Sequence, residues 1–178
     1  MLEGVAVNVY FDCEFSDLIG IKYDPCLISI GLIASNGNEL YIELADTWEK
    51  RTCSDFVIEV VLPLLQGAEY ALPEADCAAR LKAWIEGFAE KVTLYSDAPN
   101  YDWPWVSEMF DHYGWPENLT RQCHHVCNFE SDTERFRYNN AVADYWRTNK
   151  SLGAVRHQAL WDARCIWFAH RCFQRKRI

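Results

Sequence analysis

Three short segments of this chain carry residue types whose spacing suits the binding of divalent cations and the movement of a proton. The first is Phe11-Asp12-Cys13-Glu14-Phe15. On a strand, positions i and i+2 point to the same face, so Asp12 and Glu14 project together. Two carboxylates side by side repel each other, and a divalent cation between them removes the conflict. The second is Ser96-Asp97-Ala98-Pro99-Asn100-Tyr101-Asp102-Trp103, which follows a short apolar run and precedes a helix. Functional groups gather at such strand-to-helix junctions. Asp102 is the candidate ligand here, with Asp97 as its rival and an ordinary helix N-cap as the plain structural alternative. The third is His157-Gln158-Ala159-Leu160-Trp161-Asp162-Ala163. A five-residue step on a regular helix turns two side chains well apart. His157 and Asp162 therefore converge only if the histidine lies on the loop or first turn and the acid lies inside the helix. Gly153 permits such a bend, and the apolar stripe Leu160, Ala163, Trp167 starts after the histidine. A histidine placed there suits a general base.

The elements that must position these groups follow from periodicity. Residues 5–11 and 26–35 read as apolar strands, and 39–45 alternates as a third, with Asn36-Gly37-Asn38 as the hairpin turn between the last two. A helix is predicted over 55–65, with Ser54-Asp55 at its start and Pro63 ending or kinking it. Residues 74–90 place Cys77, Leu81, Trp84, Ile85 and Phe88 on one stripe, the mark of an amphipathic helix. A strand at 91–95, a helix over about 103–113 with Pro104 in its first turn, and a strand at 123–129 follow. Helices are predicted over 134–148, capped by Thr133, and over 156–175. This order predicts an α/β fold: a mixed sheet with a three-stranded antiparallel start and parallel strands, flanked by helices.

Composition narrows the class. The chain has 178 residues, half of them apolar and 15% aromatic, which supports one domain over 1–178 with a proper core. No apolar run of eighteen residues occurs, so no membrane span is predicted. The first residues read as a strand and not as a signal peptide, which points to the cytoplasm. The eight cysteines have irregular spacing and fall partly inside apolar runs, so reduced thiols are expected. Cys123, His124, His125 and Cys127 lie close together but lack a second ligand pair, and zinc is not expected there. A net charge of −9 argues against coating nucleic acid and not against gripping one strand end through bound cations. The basic cluster Arg171, Arg175, Lys176 and Arg177 reads as a solvated helix end.

Taken together, the three motifs resemble those of the DEDDh exonucleases, the family of proofreading exonucleases, ribonuclease T and oligoribonuclease. FDCEF is similar to the family's first motif, DAPNYDW to its second, and RHQALWDA to its H-x-A-x-x-D-A segment, the most specific of the three. The resemblance runs from residue 7 to about 170. It implies a ribonuclease H-like fold and 3′→5′ hydrolysis of single-stranded nucleic acid, with RNA or short oligonucleotides slightly favoured. By position it makes Asp12, Glu14, Asp102 and Asp162 ligands of two divalent cations, Mg²⁺ or Mn²⁺, and His157 the general base. Phe15 and Trp103 flank ligands and are candidates for stacking on bases. Many family members carry threonine after the motif glutamate. Phe15-Ser16 at that place resembles a small bacterial and phage 3′–5′ exoribonuclease-like subgroup. Some relatives dimerise, so a homodimer is one expected assembly. The rival readings are a non-catalytic nucleic-acid-binding protein on the same fold and a ribonuclease H-like endonuclease.

Overall fold

A computed structural model of the chain describes residues 6–18 and 24–174. Residue 5 of the first predicted strand and Arg175, Lys176 and Arg177 of the basic tail lie outside the described residues. The elements, in chain order, are β1 (Val7–Phe15), β2 (Leu27–Ala34), β3 (Glu39–Leu44), β4 (Ala71–Leu72), α1 (Glu74–Glu86), β5 (Val92–Ser96), α2 (Pro99–Tyr113), β6 (Leu119–His125), α3 (Asp132–Asn149) and α4 (Ala159–Gln174). The six strands form one sheet in the order β4-β3-β2-β1-β5-β6. β2 runs antiparallel to both of its neighbours, β1 and β3, whereas β5 runs parallel to β1 and β6 parallel to β5. The expected mixed sheet is thus present, with the antiparallel-to-parallel change at β1.

The alternation along β1 decides what each face does. Val9, Phe11 and Cys13 point into a core shared with Leu81 and Ile85 of α1 and Val106 and Phe110 of α2. Tyr10 points to the opposite face, where Ala163, Ile166 and Ala169 of α4 and Tyr138 and Ala141 of α3 cover the sheet. Each large apolar side chain fully buried in these layers contributes roughly 1.5–3 kcal/mol relative to exposure. Asp12 and Glu14 continue the Tyr10 series, so they emerge on the α4 face at the end of the strand.

Several elements differ from expectation. β1 runs on through the acidic motif, four residues past its predicted end, because β2 still pairs with it there: Asp12 sits opposite Gly31 and Glu14 opposite Ser29. Segment 55–64 is helical, but Val57–Val61 form a π-helical turn and Leu62–Leu64 a 3₁₀ turn. Pro63 has no N–H to continue an α-helical ladder, and the segment changes pitch before it. Ser54 does cap the start, its Oγ accepting from the Val57 amide at 3.3 Å. A short strand, β4, is new; it adds to the edge beside β3. α2 begins at Pro99, which takes the first position that suits proline, and Pro104 lies beyond the first turn. β6 spans 119–125 and not 123–129. As an edge strand it bonds, among the described residues, only to β5, so polar Thr120, Arg121 and Gln122 are tolerated in it. Ser131, not Thr133, caps α3, accepting from the Glu134 amide at 3.2 Å. All eight cysteines are free thiols.

Candidate metal centre and cleft

β1 and β5 are parallel neighbours, so their C-terminal ends open on the same edge of the sheet. Asp12 and Glu14 come from the end of β1, and Asp97 and Asp102 from the turn after β5 and the start of α2. α4 crosses the other face and lowers its first turn, with Asp162, onto the end of β1. Asp12, Glu14, Asp102, His157 and Asp162 all line one cleft of about 650 Å³. Ligand oxygens of Asp12, Glu14 and Asp162 lie within 4.8 Å of one another, and those of Asp12, Asp97 and Asp102 do so as well. Asp12 belongs to both groups. Asp97 and Asp102 are therefore not exclusive alternatives: the fold brings both to Asp12.

Two of the acids are held by the backbone around them. Asp102 is only 2% exposed. It does not cap its helix. Its Oδ1 accepts from the Cys13 amide at 3.3 Å, and its Oδ2 accepts from the Ser96 hydroxyl. Ser96 Oγ in turn accepts from the Ala98 amide at 2.8 Å, which fixes the turn between β5 and α2. Asp162 Oδ2 accepts from the Gln158 amide at 3.1 Å, so the carboxylate reaches back to the free N–H groups at the start of α4. Trp161 and Gln158 complete that start, with the Trp161 amide donating to Gln158 Oε1 at 3.0 Å.

His157 precedes α4 in a left-handed backbone conformation, φ +64°. This conformation is uncommon for a non-glycine residue. It resolves the five-residue spacing problem, because the imidazole leaves the helical path and turns into the cleft that Asp162 also lines. The ring of Phe56 meets it edge to face, with centroids 5.0 Å apart. Burial and the nearby Arg156 guanidinium push the His157 pKa below its ordinary value, which favours the neutral imidazole.

The carboxylates are in an energetically poor environment without a cation. Burial, then repulsion from Asp162 and Asp102, pushes Glu14 up to about 8. Burial raises Asp162 to about 7 against the pull of the His157 and Gln158 amides. Burial likewise raises Asp102 to about 7, with the Ser96 hydroxyl opposing it. Asp12 is driven well above the carboxylate range by burial and by the charges of Asp102, Asp162, Glu14 and Asp97. The donors in both groups are carboxylate oxygens only, a set that fits hard divalent cations such as Mg²⁺ or Mn²⁺.

The remaining wall of the cleft is mostly apolar, with Asp17 and Ser54 among its lining. Phe15, Leu18, Phe56 and Tyr101 line it, and Phe56 and Tyr101 are about half exposed, at 51% and 48%. Phe15 is where the sequence places it, with its ring stacked near Trp105 at 6.1 Å. Trp103 is not: it does not line the cleft and packs against Trp115, with centroids 5.8 Å apart. A three- to four-residue periodicity turns 103 inward on α2 while Tyr101 turns outward. Leu18 and Phe56 lie outside the three motifs, whereas Tyr101 lies within the second, as an aromatic one position before Asp102. The Cys123–Cys127 run builds no ligand group among the described residues. His124 stacks on Tyr95 at 5.2 Å, and the His125 ring contacts the Asp97 carbonyl through Nε2 at 2.8 Å.

No protein-family model matches the chain, and no curated protein matches it. Solved structures do. The nuclease domain of 3′hExo, a DEDDh family member bound to rAMP, superposes with a TM-score of 0.57 at 15% identity, over 95% of this chain and 92% of that one. A zinc-bound form of E. coli exonuclease I in complex with single-stranded DNA gives 0.59 at 12% identity, over 97% of this chain and 41% of that one. Exonuclease I from Methylocaldum szegediense gives 0.61 at 12% identity, again over 97% and 41%. The chain thus spans well under half the length of exonuclease I and nearly the whole 3′hExo nuclease domain. At these identities the likeness is one of fold, and the fold is ribonuclease H-like, as expected.

Proposed function

We propose that this chain is a metal-dependent 3′→5′ exonuclease of the DEDDh type acting on single-stranded nucleic acid, with RNA or short oligonucleotides favoured. The observation that carries the proposal is the meeting of Asp12, Glu14, Asp102, Asp162 and His157 in one cleft, on a fold shared with exonuclease I and the 3′hExo nuclease domain. The four acids come from β1, α2 and α4, far apart in sequence, and nothing in core packing requires them to converge. Their mutual repulsion is a cost of folding that a bound cation relieves at a pH where they would otherwise be ionised.

Asp12, Glu14 and Asp162 would hold one divalent ion, and Asp12 with Asp102 a second. When bound, such a pair lowers the pKa of a water and stabilises charge on the attacking and leaving oxygens of an in-line displacement. His157, neutral because its pKa is lowered, accepts the proton of the attacking water. The Asp162–Gln158 hydrogen bond fixes the loop that carries this histidine. Phe56, Tyr101 and Phe15 offer apolar ring surface at the mouth of the cleft, where unpaired bases stack without regard to sequence. A duplex would have to unpair to use them, which favours single-stranded ends.

The test is degradation of 3′- and 5′-labelled linear strands, RNA and DNA, by the purified chain with Mg²⁺ or Mn²⁺, beside a circular strand of the same sequence. Mononucleotide release from the 3′ end with the circle intact is expected. Cleavage of the circle would replace the reading with an endonuclease, and no cleavage by the wild-type chain would remove it.

A further inference from the structure

We infer that Asp97 is a fifth carboxylate of the metal centre, holding the second cation together with Asp12 and Asp102. The inference rests on the reading above and concerns which side chains of this chain complete the second site. Asp12, Asp97 and Asp102 present oxygens within 4.8 Å of one another, as do Asp12, Glu14 and Asp162. With Asp12 and Asp102 alone, the second position would have two carboxylates and would rely on a substrate phosphate for further oxygens. With Asp97 it has three, as many as the first. Ligand number and charge set the affinity of oxygen sites for divalent cations. Both ions should therefore bind before any strand enters.

The segment around Asp97 is fixed independently of the acids. The Val126 amide donates to the Ser96 carbonyl at 3.0 Å, and the His125 ring contacts the Asp97 carbonyl. The end of β6 thus clamps the main chain on both sides of the Ser96–Asp97 link. This gives His125 of the Cys123–Cys127 run a structural role. Asp97 does not line the open cleft, so substituting it leaves the apolar wall beside the acids untouched.

The experiment is a calorimetric titration of the full chain with Mn²⁺ alone, after removal of metal with a chelator and in the absence of nucleic acid. The wild type should take up two ions. Asp97→Asn should keep one with the smaller change in affinity and bind the other about 10–100-fold more weakly. Asp97→Glu, which keeps the charge, should restore most of that loss, and a thermal melt monitors the fold of both variants. Two ions bound by Asp97→Asn as tightly as by the wild type would overturn the inference, as would a single ion in the wild type. The two readings fail separately. If the wild type binds two ions, Asp97→Asn weakens one of them and no strand is degraded, the exonuclease reading falls and the Asp97 assignment stands. If it degrades strands and Asp97→Asn retains both ions, the reverse holds.

Discussion

Gly31 on β2 lies flat against Ala159 at the start of α4. A Cβ on Gly31 would sit 2.3 Å from the Ala159 carbonyl carbon and 2.2 Å from the Leu160 amide nitrogen. Those contacts are to backbone, so no side-chain rotation relieves them. Gly31 is also the residue opposite Asp12 in the β1–β2 ladder. One missing side chain therefore lets the helix bearing Asp162 descend onto the strand bearing Asp12. Gly31→Ala should force α4 off the sheet, at a cost of roughly 1–3 kcal/mol in chemical denaturation. It should also weaken Mn²⁺ binding at the first site, although residue 31 is not a ligand. Retention of full Mn²⁺ affinity would show that the first site does not depend on this contact.

The metal-free chain should lose stability as pH rises. Glu14 is raised to about 8, and Asp102 and Asp162 to about 7, from ordinary values of 4.5, 3.8 and 3.8. Between about pH 4 and pH 8 the folded chain binds protons that the unfolded chain has released, so the slope of stability with pH is negative. The stabilisation is complete below the unfolded values and lost as pH passes through the folded ones. Melting curves in chelator should show Tm falling across this window. Millimolar Mg²⁺ at pH 8 should recover the loss, because the cation replaces the protons. A chelated Tm that is flat or rising from pH 5 to pH 8 would contradict the account.

Glu14→Gln should separate stability from function. It removes one of the repelling charges while keeping the shape, and at pH 8 without metal it should stabilise the fold by roughly 1–2 kcal/mol. Hydrolysis should disappear with it. Paired denaturation and strand-degradation assays read both effects, and a destabilised variant would mean that Glu14 has a structural partner.

His157→Asn keeps a residue that tolerates the left-handed backbone and removes the base. Strand degradation should fall by about 10²–10⁴-fold. Mn²⁺ uptake should be unchanged, which distinguishes loss of a base from collapse of the metal centre.

Phe56→Ala should weaken strand binding by roughly 1–3 kcal/mol, seen as a raised KM, if its exposed ring carries a base. Since Phe56 also abuts His157, a smaller fall in kcat should accompany it. Trp103→Ala should instead lower thermal stability and leave KM unchanged, as expected for a ring packed on Trp115.

The parts of this molecule that are legible in the sequence are those set by local periodicity. Asp12 and Glu14 follow from the two-residue repeat of β1. The displacement of His157 follows from the 3.6-residue repeat of α4, which cannot bring 157 and 162 to one face. What escapes the sequence depends on tertiary context. β6 is an edge strand whose polar residues face water, so its apolar neighbours at 126–129 mislead. Trp103 and Tyr101 are both aromatic and both flank Asp102, and only the docking of α2 decides which ring faces the cleft. Asp97 and Asp102 read as rivals because a sequence shows one ligand slot where the fold places two acids around Asp12. Phe56 joins the cleft only because segment 55–64 folds back towards the start of α4.

The distance along the chain between Asp12 and Asp162 also has a consequence in time. β1 leaves the ribosome early, and α4 follows only after every strand of the sheet and three helices. Until α4 docks over Gly31, Asp12 and Glu14 have no Asp162 beside them, and the cleft has no His157. Segments synthesised first can fold first, but this centre cannot assemble piecemeal. On the proposed function, a growing chain is therefore hydrolytically silent until α4 docks.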